Sequence, residues 1–176
     1  MSETWDLRDQ LEKHHQASYG WALHCCGRRE VEAEEVLQES YLKVLDGRAR
    51  YNGKAAFKTW LFAVIRTTAA NERRRHWLRQ FSLLRYERER PMAFPSNSPA
   101  ENRLRSQEQA ALQRCLAQLP ARQQEILHLT FYQELTIQQA ADVMGVSIGS
   151  ARQHYERGKH KLRQLLRTPE AMNDEP

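Results

Sequence analysis

Residues Leu135 to Leu166 read LTIQQAADVMGVSIGSARQHYERGKHKLRQLL, and their spacing predicts two helices joined by a tight turn. Thr136 has the side-chain oxygen an N-cap needs, and Ile137, Ala140, Ala141 and Met144 follow at helical spacing. Gly145 can take the left-handed conformation that ends such a helix. Ser147 then caps a second helix running to about Leu166. At about 100° per residue, Ile148, Ala151, Tyr155, Leu162 and Leu166 share its inner side. Ser150, Gln153, Arg157, His160 and Gln164 point the other way, flanked by Arg152, Lys159 and Arg163. Small residues in the first helix allow close packing, and the exposed groups of the second can meet base edges and phosphates. This is the pattern of a helix-turn-helix whose second helix enters the DNA major groove. A plain helical hairpin with a solvated charged face is the alternative.

The rest of the chain narrows the choice. Its 176 residues suffice for one large domain or two small ones. Seven Gly, six Pro and a mean hydropathy of −0.80 point to an all-α protein with small helical cores. The net charge of +5 and pI near 9.3 suit an anionic partner. The charge comes in blocks. Arg28 to Asp46 is acidic through Glu30, Glu32, Glu34, Glu35 and Glu39; Arg50 to Arg90 is basic and contains Arg73, Arg74 and Arg75. Such alternation assigns different faces to a basic protein and to DNA.

Apolar periodicity predicts helices over Leu7 to Cys26, Val31 to Leu45 and Ala56 to about Arg79, which make a first domain. Leu7, Leu11, His15, Tyr19, Ala22 and Leu23 form the first stripe. In the third helix Phe57, Trp60, Leu61, Val64, Ile65 and Thr68 turn inward, whereas Phe62, Arg66 and Arg73 share an outward face. Asn52-Gly53 marks a loop between the second and third helices. Three prolines in PMAFPSNSP, Pro91 to Pro99, mark a linker. Beyond it, a helix from Arg105 to Leu119 precedes one opened by Pro120, with Ile126, Leu127, Thr130 and Phe131 inward. The expected architecture is two small helical domains, residues 1–80 and 104–168, joined by a flexible linker over 81–103 and followed by an acidic tail, 169–176.

Four stretches carry a resemblance. LPARQQEIL (Leu119 to Leu127), followed by the helix-turn-helix ending YERGKHKLRQLL, resembles region four of sigma factors. EAEEVLQESYLKVLDG, from Glu32, resembles the region-two helix, and FKTWLFAVIRTTAANERRR, from Phe57, the segment adjoining it. Two domains with none between them are similar to the extracytoplasmic-function group of the sigma-70 family.

That resemblance implies a subunit that binds core RNA polymerase (its β and β′ subunits) and directs it to promoter DNA, under an anti-sigma factor. It implies polymerase contacts at Glu35, Gln38, Glu39, Leu42 and Lys43. It implies −10 recognition and melting at Tyr51, Lys58, Phe62, Arg66 and Thr67, with Arg73, Arg74 and Arg75 on nearby phosphates. Cations for the backbone and aromatics for unstacked bases are what single-stranded DNA requires. It implies −35 reading by Ser150, Arg152, Gln153, His154, Glu156, Arg157 and Lys159. Arg with guanine and Gln with adenine are the bidentate pairs that geometry favours. Two positions depart from the family. Thr67 stands where members often have Asn, and one hydroxyl lacks an amide's paired donor and acceptor. Glu156 stands where an apolar or aromatic residue is common.

The competing readings are an operator-binding regulator and a metal or redox site at His14, His15, His24, Cys25 and Cys26. The first lacks the alternating strands and acidic pocket of a receiver domain. The second lacks i, i+4 histidine spacing, and adjacent cysteines cannot close a relaxed disulfide. No P-loop, zinc-protease motif or nucleophile elbow suggests an enzyme, and no cofactor is expected. No apolar run approaches the roughly 20 residues of a membrane span, and the N-terminus has no signal-peptide core, so a cytoplasmic location is expected.

Overall fold

The structure, a computed structural model, describes residues 6–84 and 103–167, so the Pro91 to Pro99 stretch and the acidic tail lie outside the described residues. Helices α1 (Leu7–Lys13), α2 (His15–Cys25), α3 (Glu30–Leu45) and α4 (Phe57–Leu84) form the N-terminal half. Helices α5 (Arg103–Ala117), α6 (Ala121–Leu127), α7 (Ile137–Met144) and α8 (Ile148–Arg167) form the C-terminal half. A π-helical turn, His128–Tyr132, extends α6. No strand occurs among the described residues.

Local chemistry explains the element ends. Asp6 caps α1 by accepting from the Arg8 amide at 2.8 Å. The single helix expected over Leu7 to Cys26 is two, because His14 leaves helical conformation and sets its ring 6.0 Å from Phe57. Helix α4 begins after the Asn52-Gly53 turn and continues past Arg79 to Leu84.

In the N-terminal half α2, α3 and α4 pack around Trp21, which is wholly buried and donates its indole N–H to the Phe62 carbonyl at 2.9 Å. The Phe62 ring stacks on it at 5.8 Å and is itself fully buried. The outward position expected for Phe62 is therefore wrong. The i, i+4, i+11 grouping of Phe62, Arg66 and Arg73 is real, but α2 and the C-terminal half cover its Phe62 and Arg66 end and leave Arg73 exposed.

In the C-terminal half Thr136 and Gln139 cap α7 reciprocally, at 3.2 and 2.9 Å. Gly145, at φ 64°, ends it. Ser147 Oγ accepts from the Ser150 amide at 3.1 Å and starts α8. Helix α8 crosses α6 at Gly158, where a Cβ would meet Leu127 and Gln123 at 3.2–3.3 Å. Phe131 is 59% exposed, not inward. The π-turn is the reason: its wider winding, closed by Gln133 N–H donating to His128 O at 3.2 Å, rotates later side chains off the 3.6-residue register. Phe131 swings out onto Tyr155, and Gln133 turns in.

The two halves are packed against each other. Helix α7 lies along α4, and one contiguous apolar cluster runs from Leu11 to Ala151 through both.

Candidate nucleic-acid interface

Three surfaces carry the residues singled out in the sequence. The first is α8. Ala151 and Gly158 face inward, while Arg152, Gln153, Glu156 and Arg157 are exposed along one side and Ser150, His154 and Lys159 are half-buried beside them. The capped turn fixes the angle at which this row leaves the domain. Glu156 pairs with Lys159 at 3.1 Å, and Lys159 sits 4.4 Å above the Tyr155 ring. A shallow groove lined by Pro120, Gln123, Glu156, Arg157, His160 and Gln164 continues the row along α6. Such a surface offers guanidinium and amide forks to base edges and cations to phosphates.

The second surface is α3. Glu35 and Gln38 are exposed, and Leu42 is 48% exposed. Glu39 is tied to Lys43 at 3.5 Å and to Arg48 at 3.3 Å; Lys43 also donates to Thr68 Oγ1 at 3.1 Å. Glu39 and Lys43 are thus braced, not free. Next to Gln38 and Leu42, an apolar groove of about 560 Å³ is walled by His15, Tyr19, Leu37, Tyr41 and Leu45. An acidic rim beside an apolar groove suits a basic amphipathic helix from a partner.

The third surface, on and before α4, is occupied from within. Arg66 makes a bidentate ion pair with Glu125 on α6, which Arg122 also meets at 3.2 Å. Lys58 donates to the Gln133 carbonyl at 2.7 Å, and partial burial lowers the pKa of its ammonium. Tyr51 is half-buried against Phe57 and Trp60 and donates to the Ala55 carbonyl at 2.5 Å. The Thr67 hydroxyl donates back to the Ala63 carbonyl at 2.8 Å. Arg73, Arg74 and Arg75 are exposed beyond this contact zone; Arg73 reaches the Cys25 carbonyl and Arg75 pairs with Glu72. Of the expected −10 group, only the arginine run and Thr67 lie open.

Sequence reading missed Trp21, Glu125, Gln133 and Gly158. Gly158 alone left a signal, seven residues after Ala151 on the same helix face. The histidines and cysteines near Cys25 do not converge. His15 Nδ1 lies 3.2 Å from the Tyr41 hydroxyl, His24 turns toward the C-terminal half, and burial pushes both the Cys25 and Cys26 thiols up. Among the described residues no set of three His, Cys, Asp or Glu side chains could hold a metal.

A capped helix-turn-helix with an exposed basic second helix, carried by the same chain as a four-helix half with an acidic, grooved face, is the architecture of a two-part DNA-binding protein. The sequence relationships agree. The sigma-70 region 2 model matches residues 11–79 and the sigma-70 region 4 model residues 115–164. RNA polymerase sigma factor CarQ of Myxococcus xanthus is 30% identical over 76% of this chain and 74% of its own. ECF RNA polymerase sigma factor SigX of Bacillus subtilis is 27% identical over 99% of this chain and 91% of its own. The chain belongs to the sigma-70 family of RNA polymerase sigma factors, in its extracytoplasmic-function group. It spans 35% of the length of another relative, a probable sigma factor RfaY of Xanthomonas campestris, to which it is 31% identical over 78% of this chain. The fold is shared with sigma factor RpoE of Bartonella quintana, solved with the anti-sigma factor NepR: TM-score 0.69, 20% identity, covering 93% of this chain and 98% of that one.

Proposed function

We propose that this chain recruits core RNA polymerase to promoters by holding the −35 element with α8 while its N-terminal half engages and melts the −10 element. The exposed row Arg152, Gln153, Glu156 and Arg157, fixed by caps at Thr136 and Ser147, is the observation that carries this reading. Glu35, Gln38, Glu39, Leu42 and Lys43 beside the α3 groove are the polymerase-facing group. Tyr51, Lys58, Arg66, Thr67 and Arg73 to Arg75 are the −10 group, with Phe62 withdrawn to the core. The working boundaries, 1–80 and 104–168 by sequence, widen to 1–84 and 103–168, because α4 runs to Leu84 and α5 starts at Arg103, with a linker between and a short acidic tail. Strand opening is driven by binding free energy within polymerase, so the chain is no enzyme, and its work is cytoplasmic. Among the described residues no helix is long and apolar enough to cross a membrane. An anti-sigma partner follows from the relatives, one of which was solved bound to such a protein.

The deciding experiment is transcription in vitro with core polymerase on a library of genomic fragments. Start sites that depend on the chain are expected; none would sink the reading. Glu35→Lys with Glu39→Lys should abolish those starts while the variant still shifts −35 duplex DNA. Equal loss of both would place the damage in folding instead.

A further inference from the structure

At the junction of the two halves the rings of His24, on α2, and His128, on the π-turn, lie face to face with centroids 4.3 Å apart and planes 25° apart. Trp21 packs against both, at 5.3 and 5.6 Å, and Tyr132 covers His128 at 5.3 Å. A narrow cleft of about 220 Å³ opens beside them, lined in part by Arg28, Gln113 and Gln124. Beyond apolar contact, the polar ties that join the halves include Arg66 with Glu125 and Lys58 with the Gln133 carbonyl. Gln133 also places its side-chain nitrogen 3.3 Å from His128 Nε2. The stack therefore belongs to the same contact that covers the candidate −10 cations.

We propose that the stacked His24–His128 pair is a proton-sensitive latch, which closes the two halves on each other when both rings are neutral and releases them on acidification. Two neutral imidazoles stack with little cost, whereas two imidazolium ions at this separation repel and resist desolvation. The surroundings do not compensate. On the α2 side Arg28 adds positive charge, and Arg73 of α4 lies at the Cys25 carbonyl. On α6, Glu125 alone favours a charged His24, but its carboxylate is already bound by Arg66 and Arg122. Helix α5 offers Gln113, which is neutral, and the π-turn offers the Tyr132 phenol. Lys58 of α4 and Glu134, near the Gln133 contact, offset each other. Burial comes first and lowers the pKa of both rings. For His24 it outweighs the opposing pull of Glu125, with Arg28 adding to the lowering. For His128 the neighbouring His24 and then Arg28 add to it and bring the value down to about 3.

The direction of the linkage follows. In the separated halves each ring regains a pKa near about 6.5, so the open state binds protons that the closed state rejects. The contribution to closure is complete above that value and is lost as pH falls through and below it. Between pH 7.5 and 5.5 the open-to-closed ratio should rise about tenfold through His128 alone, and further through His24, whose shift has the same direction. Opening releases Arg66 from Glu125 and Lys58 from Gln133, so the −10 cations become available together. This goes beyond the proposed role in transcription and is tested by shape alone.

Small-angle scattering of the full chain at pH 7.5 and 5.5, with far-UV circular dichroism as the check on helix content, tests it. The wild-type chain should expand at pH 5.5 with its helices intact. The double variant His24→Phe/His128→Phe, which keeps aromatic contact and cannot titrate, should stay compact at both values. His24→Phe alone keeps His128 as the native ring and should expand less than the wild type, with only the His128 contribution of about tenfold left; this arm stands even if the double variant does not fold. A wild-type chain that stays compact at pH 5.5, or variants that expand as much as it does, would overturn the latch.

Discussion

Arg157 on α8 and Arg66 on α4 have the same chemistry and opposite circumstances. Arg157 stands exposed in a row set by two helix caps and a glycine turn, all within twenty-two residues of it. Arg66 is held by Glu125, fifty-nine residues away, and the aromatic that shares its helix face, Phe62, is in the core. One of the two proposed DNA-facing surfaces is presented by local structure. The other is closed by the far end of the chain. A face that local rules build is ready at once, whereas a face that tertiary contact covers has to be uncovered, and that cover is a place for control.

The largest effect that could break this comparison is at Phe62. If its ring is core, Phe62→Ala removes a large side chain stacked on Trp21 and should cost about 3–5 kcal/mol of stability. Urea unfolding followed by tryptophan fluorescence measures it. A loss below about 1 kcal/mol would return Phe62 to an exposed face and make α4 as open as α8.

Arg157→Ala comes next. A bidentate contact to a base should lose about 1–3 kcal/mol of affinity on duplexes carrying the −35 element and little on scrambled DNA. A uniform loss on both would make Arg157 a phosphate contact, and the row on α8 would then position the domain without reading sequence.

These two sites also show which parts of the chain were legible before its structure. The α7–α8 unit follows from near-neighbour chemistry: Thr136, Gly145 and Ser147 each act within a few residues, and each does what its side chain or backbone predicts. The acidic face of α3 and the core positions of α4 follow from helical period in the same way. Phe131 was misplaced because a π-turn changes the period itself, and nothing in HLTFY announces it. Phe62 was misplaced because periodicity groups residues on a face without saying what covers that face. Glu125 had no distinguishing mark, since its meaning lies entirely in Arg66. Trp21 fell between the apolar stripe positions of a helix that bends at His14.

The smallest effect tests whether the two halves act as one. Thr136→Ala removes a cap on α7 that accepts from the Gln139 amide and should cost about 1 kcal/mol. All four tryptophans, at positions 5, 21, 60 and 77, lie in the N-terminal half, so tryptophan fluorescence sees nothing of α7 directly. With the halves closed at pH 7.5, α7 is packed on α4, and unfolding of one half removes contacts from the other. The tryptophan-detected transition should then move to lower urea in Thr136→Ala, by the equivalent of about 1 kcal/mol, in step with the helical signal. At pH 5.5 the protonated histidine pair favours separation, and the same substitution should move the helical signal while leaving the tryptophan transition near its wild-type position. A tryptophan transition indifferent to Thr136 at both pH values would mean that α4 and α7 touch without energetic coupling. Arg66 would then be covered only by its pair with Glu125, and the difference between the two arginines would shrink to one ion pair.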